Sequence, residues 1–294
     1  MSVDVVCAGA PFLDLTIAGL PRLPVLGEEL VGDRFVATAG GMAHVALGLS
    51  RLGLRAAVCS PVGTDLPGFW VRRLLAEEGI DWIGPEASAT PVSVVVPVDG
   101  ERAFLTVDPE LPIDGELIAR LSPRAVVVDV ALAGAVAPGP TVYGVLGDVD
   151  AHRLARRIPA SAERLTALLV NRREALVLTG AADGHEAALA LAAHVPAVVV
   201  TCGADGAVGV CDGELSVVPA PRVDVVDTTG AGDLFTAAYV WADLEGHAFE
   251  ERLRLATTYA ALSVRAQTAP AGAATHAELH EFLQPTIPQA GRKT

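Results

Sequence analysis

Residues 227–233 read Asp-Thr-Thr-Gly-Ala-Gly-Asp, between a strand-like run, Val223–Val226, and a helical pattern marked by Leu234, Phe235, Ala238 and Trp241. Glycines let a backbone turn sharply and approach a ligand closely. At a helix N-terminus the amides of Gly230, Ala231 and Gly232 lack intrahelical acceptors. Together with the positive end of the helix dipole they attract an anion such as phosphate. Asp233, in the first turn, is held ionised by the same field. A carboxylate beside an anion cradle weakens simple anion binding. It serves chemistry if it takes the proton of an alcohol while the neighbouring amides hold a phosphoryl group in transfer. The plainer reading makes Asp233 a capping acid and the glycines a turn.

Residue types elsewhere limit how phosphate is held. The sole lysine is Lys293, in the last residues of the chain. That removes a phosphate-loop lysine, a protein-kinase strand lysine and a Schiff-base lysine. Backbone amides, helix N-termini, arginines and metal ions are left. Arg102 is one candidate. Arg153, Arg156 and Arg157 are others, although that cluster equally reads as a solvated helix face.

These groups need a scaffold, and the composition describes it. Hydrophobic residues make up 51% of the 294 and charged residues 19%, the balance of a folded globular chain. The length suits one large α/β domain, with or without a small accessory element. Lys+Arg of 21 against Asp+Glu of 35 gives a net charge of −14, which disfavours nucleic acid and anionic lipid as partners. Cys7, Cys59, Cys202 and Cys211 form no C-x-x-C pair and read as buried thiols of a reducing compartment. No basic leader precedes the first strand and no apolar run reaches transmembrane length, so a cytoplasmic protein is expected.

The hydrophobic pattern predicts strands at Val3–Ala8, Ala56–Val62, Ala125–Val130, Thr141–Gly144, Ala167–Val170, Ala197–Cys202 and Ala207–Cys211. Helical stretches fall at Met42–Leu52, Leu66–Gly79, Gly184–Ala193, from Gly230 to about Asp243, and from Glu250 to about Gln267. Continuous apolar strands alternating with helices indicate a three-layer α/β/α fold around a mostly parallel sheet. Two regions break that alternation. One is the β-like stretches Asp14–Ala18 and Leu30–Thr38. The other is a hairpin signature, Val92–Val98 and Arg102–Val107 around Asp99-Gly100. They are expected to form a small β-sheet lid from about 14–38 and 91–108. The domain then runs over 1–284, with 285–294 as a tail.

Residues 227–235, D-T-T-G-A-G-D-L-F, resemble the C-terminal signature of the ribokinase-like (PfkB) family of carbohydrate and nucleoside kinases. Further resemblances follow in the family's order. They are Val5–Asp14 with its acid, Ala39–Gly53 as the N-terminal glycine signature, and Val62-Gly63-Thr64-Asp65 with Gly68. Asn171-Arg172-Arg173-Glu174 then matches N-x-x-E, and Thr201–Gly206 matches T-x-G-x-x-G. Taken singly, Asn171 reads as a strand-end turn residue, Glu174 as a solvated helix acid, Thr201–Gly206 as a hairpin turn and Asp14 as a loop acid.

The resemblance implies an ATP-dependent phosphotransferase acting on a hydroxyl of a sugar or nucleoside. Asp233 would be the base, with Gly230, Ala231 and Gly232 as the anion hole. Asp14, Gly40, Gly41 and His44 would face the acceptor. Asn171, Thr201, Gly203 and Gly206 would lie along the nucleotide. Glu174 would hold Mg²⁺ mostly through water, and Asp227 and Thr229 resemble part of a monovalent-cation (K⁺) loop. Family lids pair into dimers, so a homodimer through the lid is implied. The alternative is a catalytically weak relative that binds nucleotide or sugar. One departure stands out: the family usually carries Asn where this chain has His44, which bears on acceptor identity more than on chemistry.

Overall fold

A short strand buried on both faces needs cover on both sides, and most of the apolar runs meet that condition. The computed structural model describes residues 2–98 and 101–284; the Asp99-Gly100 turn, Lys293 and the 285–294 segment lie outside them. Nine strands form the main sheet in the order 214–218, 207–211, 197–201, 167–171, 141–145, 125–129, 5–8, 56–59 and 81–83. The pairings from Asp81–Ile83 across to Ala197–Thr201 are parallel. Ala207–Cys211 and Glu214–Val218 pair antiparallel at the other edge. Only residues 202–206 separate Thr201 from Ala207, too few for a crossover, so the chain must return as a hairpin.

Side chains alternate across each strand. Val5, Cys7, Val58, Val127, Leu169 and Val199 face one core, with helices Met42–Arg51, Leu66–Glu77, Ala231–Leu244 and Phe249–Ser263 packed over it. Val6, Ala8, Val126, Val128, Leu168, Val198 and Val200 face the other. There they meet Gly115–Leu121, Asp148–Leu154, Arg172–Thr179 and Gly184–Leu191. Each fully buried valine contributes about 1.5–3 kcal/mol of transfer free energy. The fold class is therefore the predicted one. Cys7 and Cys59 are buried, whereas Cys202 and Cys211 are only half-buried; all four are free thiols.

The second sheet has four strands in the order Arg34–Gly41, Pro11–Ala18, Val92–Val98 and Glu101–Val107. Its central pair is parallel and the outer pairs are antiparallel. The strands reach Pro11 and Gly41, beyond the predicted 14–38 limits. Asp65 ties this lid to the main body. It caps helix Leu66–Glu77 by accepting from the Gly68 amide at 3.0 Å. It also accepts from the Thr90 amide at 2.9 Å and the Thr90 hydroxyl at 2.8 Å. Thr90 lies just before strand Val92–Val98. The Val62–Gly68 motif is thus a structural clamp.

Val223–Val226 is not a strand. Val225 and Val226 are exposed, and the segment is held by the Val226 amide donating to the Val264 carbonyl at 2.7 Å. It has the apolar content of a strand but no neighbouring strand to pair with. No helix among the described residues is long and apolar enough to cross a membrane.

Candidate active site

A cleft of about 960 Å³ opens between the lid and the ends of the central strands. Asp14, Gly41, His44, Asn171, Glu174, Thr201, Thr229, Gly230, Gly232 and Asp233 all line it, although they come from opposite ends of the sequence. Gly40 stands just behind this wall, because a Cβ there would overlap the Asp14 carboxylate. Gly41 has φ +60 and caps helix Met42–Arg51. The two glycines have separate jobs: one admits the carboxylate, the other makes the left-handed turn into the helix.

The loop before helix Ala231–Leu244 is built by its own side chains. The Thr229 amide donates to Asp227 Oδ1 at 2.8 Å and the Thr229 hydroxyl at 2.7 Å. Gly230 turns the chain at φ +75. The amides of the helix's first turn then have no intrahelical acceptor, and that of Ala231 makes only a 3.3 Å contact with the Thr228 carbonyl. Gly232 faces open space. From the lid, Arg102 Nη1 donates to the Thr228 hydroxyl at 2.7 Å, so the one sequence-flagged lid arginine reaches this loop.

Two carboxyl groups and one imidazole here carry unusual proton affinities. Asp14, 8% exposed, is pushed up to about 6 by burial and by the Asp233 charge, against the opposing pull of His44. Glu174 is pushed up to about 7, first by burial and then by the charges of Asp148 and Asp233. It is no solvated helix acid. It forms a capping box with Asn171: Glu174 Oε2 accepts from the Asn171 amide at 2.8 Å and Oε1 from Asn171 Nδ2 at 2.6 Å. His44 is lowered by burial, but its bond to Asp233 and the charges of Asp233, Asp14 and Asp227 outweigh this and raise it. Its Nδ1 lies 3.3 Å from Asp233 Oδ2.

Some expectations land elsewhere. Gly203 and Gly206 shape the hairpin turn beyond Thr201 but do not line the cleft. A Cβ on Gly206 would collide with the Val218 carbonyl, so that glycine serves strand packing. Arg153 lines the cleft, bound to Glu110 at 2.6 Å and Asp150 at 3.2 Å, whereas Arg156 and Arg157 do not. Phe12, Ser93, Phe104 and Thr106 on the lid, and Asp148 and Asp150 at a helix start, were not singled out from sequence. The lid residues had a usable signal. Arg102, Phe104 and Thr106 alternate on one strand, and Ser93 is the register partner of Thr106. Among the described residues no group of three or more His, Cys, Asp or Glu side chains is arranged to hold a metal by itself.

This geometry has relatives. Residues 135–275 match the family described as pfkB family carbohydrate kinase. The chain is 27% identical over 292 residues to the ribokinase of Haemophilus influenzae, covering 91% of this chain and 94% of that one. It is 29% identical over 309 residues to the acarbose 7(IV)-phosphotransferase of an Actinoplanes species, covering 94% and 97%. The structure of Arabidopsis thaliana ribokinase complexed with ribose and ATP matches at a TM-score of 0.79 and 26% identity, over 97% of this chain and 100% of that one. Matched sequence and shared fold agree, and together they support a ribokinase-like PfkB carbohydrate kinase.

Proposed function

We propose that the protein transfers the γ-phosphoryl group of ATP to an alcohol of a sugar or nucleoside, with Asp233 as the base. One observation carries this reading. The Asp233 side chain, 40% exposed, opens into the cleft from the first turn of the helix whose free amides follow Gly230. An acceptor hydroxyl at that carboxylate is deprotonated as it attacks. Gly230, Ala231 and Gly232 offer N–H groups to the charge on the transferring group. Thr201 and Asn171 border the nucleotide, and Gly203 and Gly206 support it from the turn behind. The lid carries Phe12, Ser93, Phe104 and Thr106 over the acceptor and excludes water that would otherwise be phosphorylated.

The donor set fits a divalent ion bound with the nucleotide. Glu174 is buried beside like charges, a placement that a nearby cation relieves. Both of its oxygens already accept bonds from Asn171, so these residues would hold Mg²⁺ largely through water. Such an ion supplies positive charge against the phosphate oxygens. Asp227 and Thr229 remain the place for a monovalent cation such as K⁺. The lid side of the cleft carries Asp14 and Asp108, and the lid's Arg102 is engaged by Thr228. An acceptor without a phosphate of its own suits that charge.

The lid's outer surface exposes Phe35, Leu105 and Val107, in keeping with a homodimer formed lid to lid. A coupled assay of ADP formation over sugars, sugar derivatives and nucleosides tests the reaction. Asp233→Asn should lower kcat by about 10²-fold or more while ATP affinity stays within a few-fold. Unchanged turnover in that variant sinks the assignment of the base. If no acceptor is turned over while ATP still binds, the protein is a nucleotide- or sugar-binding relative instead.

A further inference from the structure

Helix Met42–Arg51 and helix Ala231–Leu244 come unusually close, and glycines are the reason. A Cβ on Gly48 would stand 2.6 Å from Ala237 Cβ and 2.9 Å from Leu234 Cδ2. A Cβ on Gly230 would stand 2.6 Å from Ala269 Cβ and 3.1 Å from His44 Nδ1. At Gly48 the missing side chain lets the two helices close up, and at Gly230 it leaves room for the His44 ring. That side chain is only 3% exposed, while its partner Asp233 is 40% exposed. Nδ1 faces Asp233 Oδ2 at 3.3 Å, and Nε2 is buried with no protein partner. Among the described residues the ring therefore has one polar contact, and that contact is the carboxylate. The other Asp233 oxygen is left for the cleft.

Resting on the kinase reading above, we propose that His44 is a positioning residue. Its buried ring holds Asp233 through Nδ1 and so aims the free carboxylate oxygen at the acceptor hydroxyl, rather than binding the acceptor itself. In the neutral ring the Nδ1–H tautomer donates to Asp233 and leaves only a bare lone pair at Nε2. Protonation keeps the donor and adds a charge. The groups facing the ring from the packed elements are Asp14 on the lid strand Pro11–Ala18, Asp233 on its helix and Asp227 on the preceding loop. Cys7 and Cys59 sit on the two central strands packed against helix Met42–Arg51, both with thiol affinities raised by burial, and so neutral. The three carboxylates favour the protonated ring against burial. As pH falls through the His44 titration, the imidazolium strengthens its hold on Asp233 and weakens the carboxylate as a base.

Three measurements separate this from a role in acceptor binding. First, in steady-state assays His44→Ala should lower kcat by roughly 10–100-fold with the acceptor KM within about threefold. His44→Asn, which keeps an N–H donor, should recover part of that loss. Second, the pH profile of kcat should lose its His44 inflection in His44→Asn. Third, the His44 ring is followed by NMR through a pH titration in wild type and in Asp233→Asn, with no turnover required; its pKa should fall in the variant. A raised acceptor KM with intact kcat would overturn the proposal, as would a His44 titration indifferent to Asp233→Asn. If the wild type turned over no acceptor, the kinase reading would fail, and the NMR titration alone would decide the His44–Asp233 pairing. A thermal melt of each variant separates lost folding from lost positioning.

Discussion

Asp14 shows how one residue of the cleft works against stability. Its carboxyl is buried, makes no protein hydrogen bond among the described residues, and titrates near 6 in place of 3.8. A carboxyl whose folded affinity is raised binds its proton more tightly in the native state. Its stabilising effect is complete below the unfolded value and is lost as pH rises through the folded value. At pH 7.5 the ionised group therefore costs stability, on the order of 1–3 kcal/mol. Asp14→Asn should raise the melting temperature at pH 7.5, raise it much less at pH 4.5, and reduce phosphorylation of the acceptor. Thermal melts at the two pH values check the first part, and an equal shift at both sinks the electrostatic explanation. Sequence flagged Asp14, but the loop acid of the plain reading became a buried strand residue because Gly40 leaves it room.

At the scale of the element, the decisive object is the turn into helix Ala231–Leu244. Its two glycines differ. Gly230 needs φ +75 and has neighbours where a Cβ would go, whereas Gly232 lies in the helix with nothing within 4 Å of that position. Gly230→Ala should lower stability by about 1–2 kcal/mol and depress kcat, because the strained turn also displaces His44. Gly232→Ala should keep or raise the melting temperature, since alanine is the better helix former by about 1 kcal/mol. It should weaken binding of an ATP analogue, because the new methyl group points into the space the phosphates need. Calorimetry with the analogue and thermal melts distinguish the two, and equal effects at both positions contradict this division. The turn was legible from its composition. The preceding Val223–Val226 was not, because an apolar run becomes a strand only if a partner edge lies beside it.

Across the whole molecule, several buried acids act together. Asp14 and Asp129 titrate near 6 and Glu174 near 7, each raised chiefly by burial. All three bind protons more tightly when folded, so stability declines as pH rises from about 4 to 7. His44, also raised, adds to the same trend just above its unfolded value. The acids lowered by partners, such as Asp65 and Glu278, act oppositely and lose their contribution only at more acid pH. The ligand-free protein should therefore melt at a higher temperature at pH 5.5 than at pH 8, and magnesium with an ATP analogue should narrow that gap. A flat or inverted profile by calorimetry contradicts this account. From sequence alone, alternating apolar runs determined the covered parallel sheet, because a strand without polar residues needs both faces buried. Glycine and acid spacing pointed to a tight turn into a helix start with free amides, because those properties belong to the local backbone. Only the tertiary structure decided that Glu174 is capped and buried, that Gly206 serves packing, that Arg102 reaches the Thr228 hydroxyl and that His44 turns to Asp233. Each of those depends on which distant segment arrives to occupy the neighbouring volume, and no local spacing encodes that.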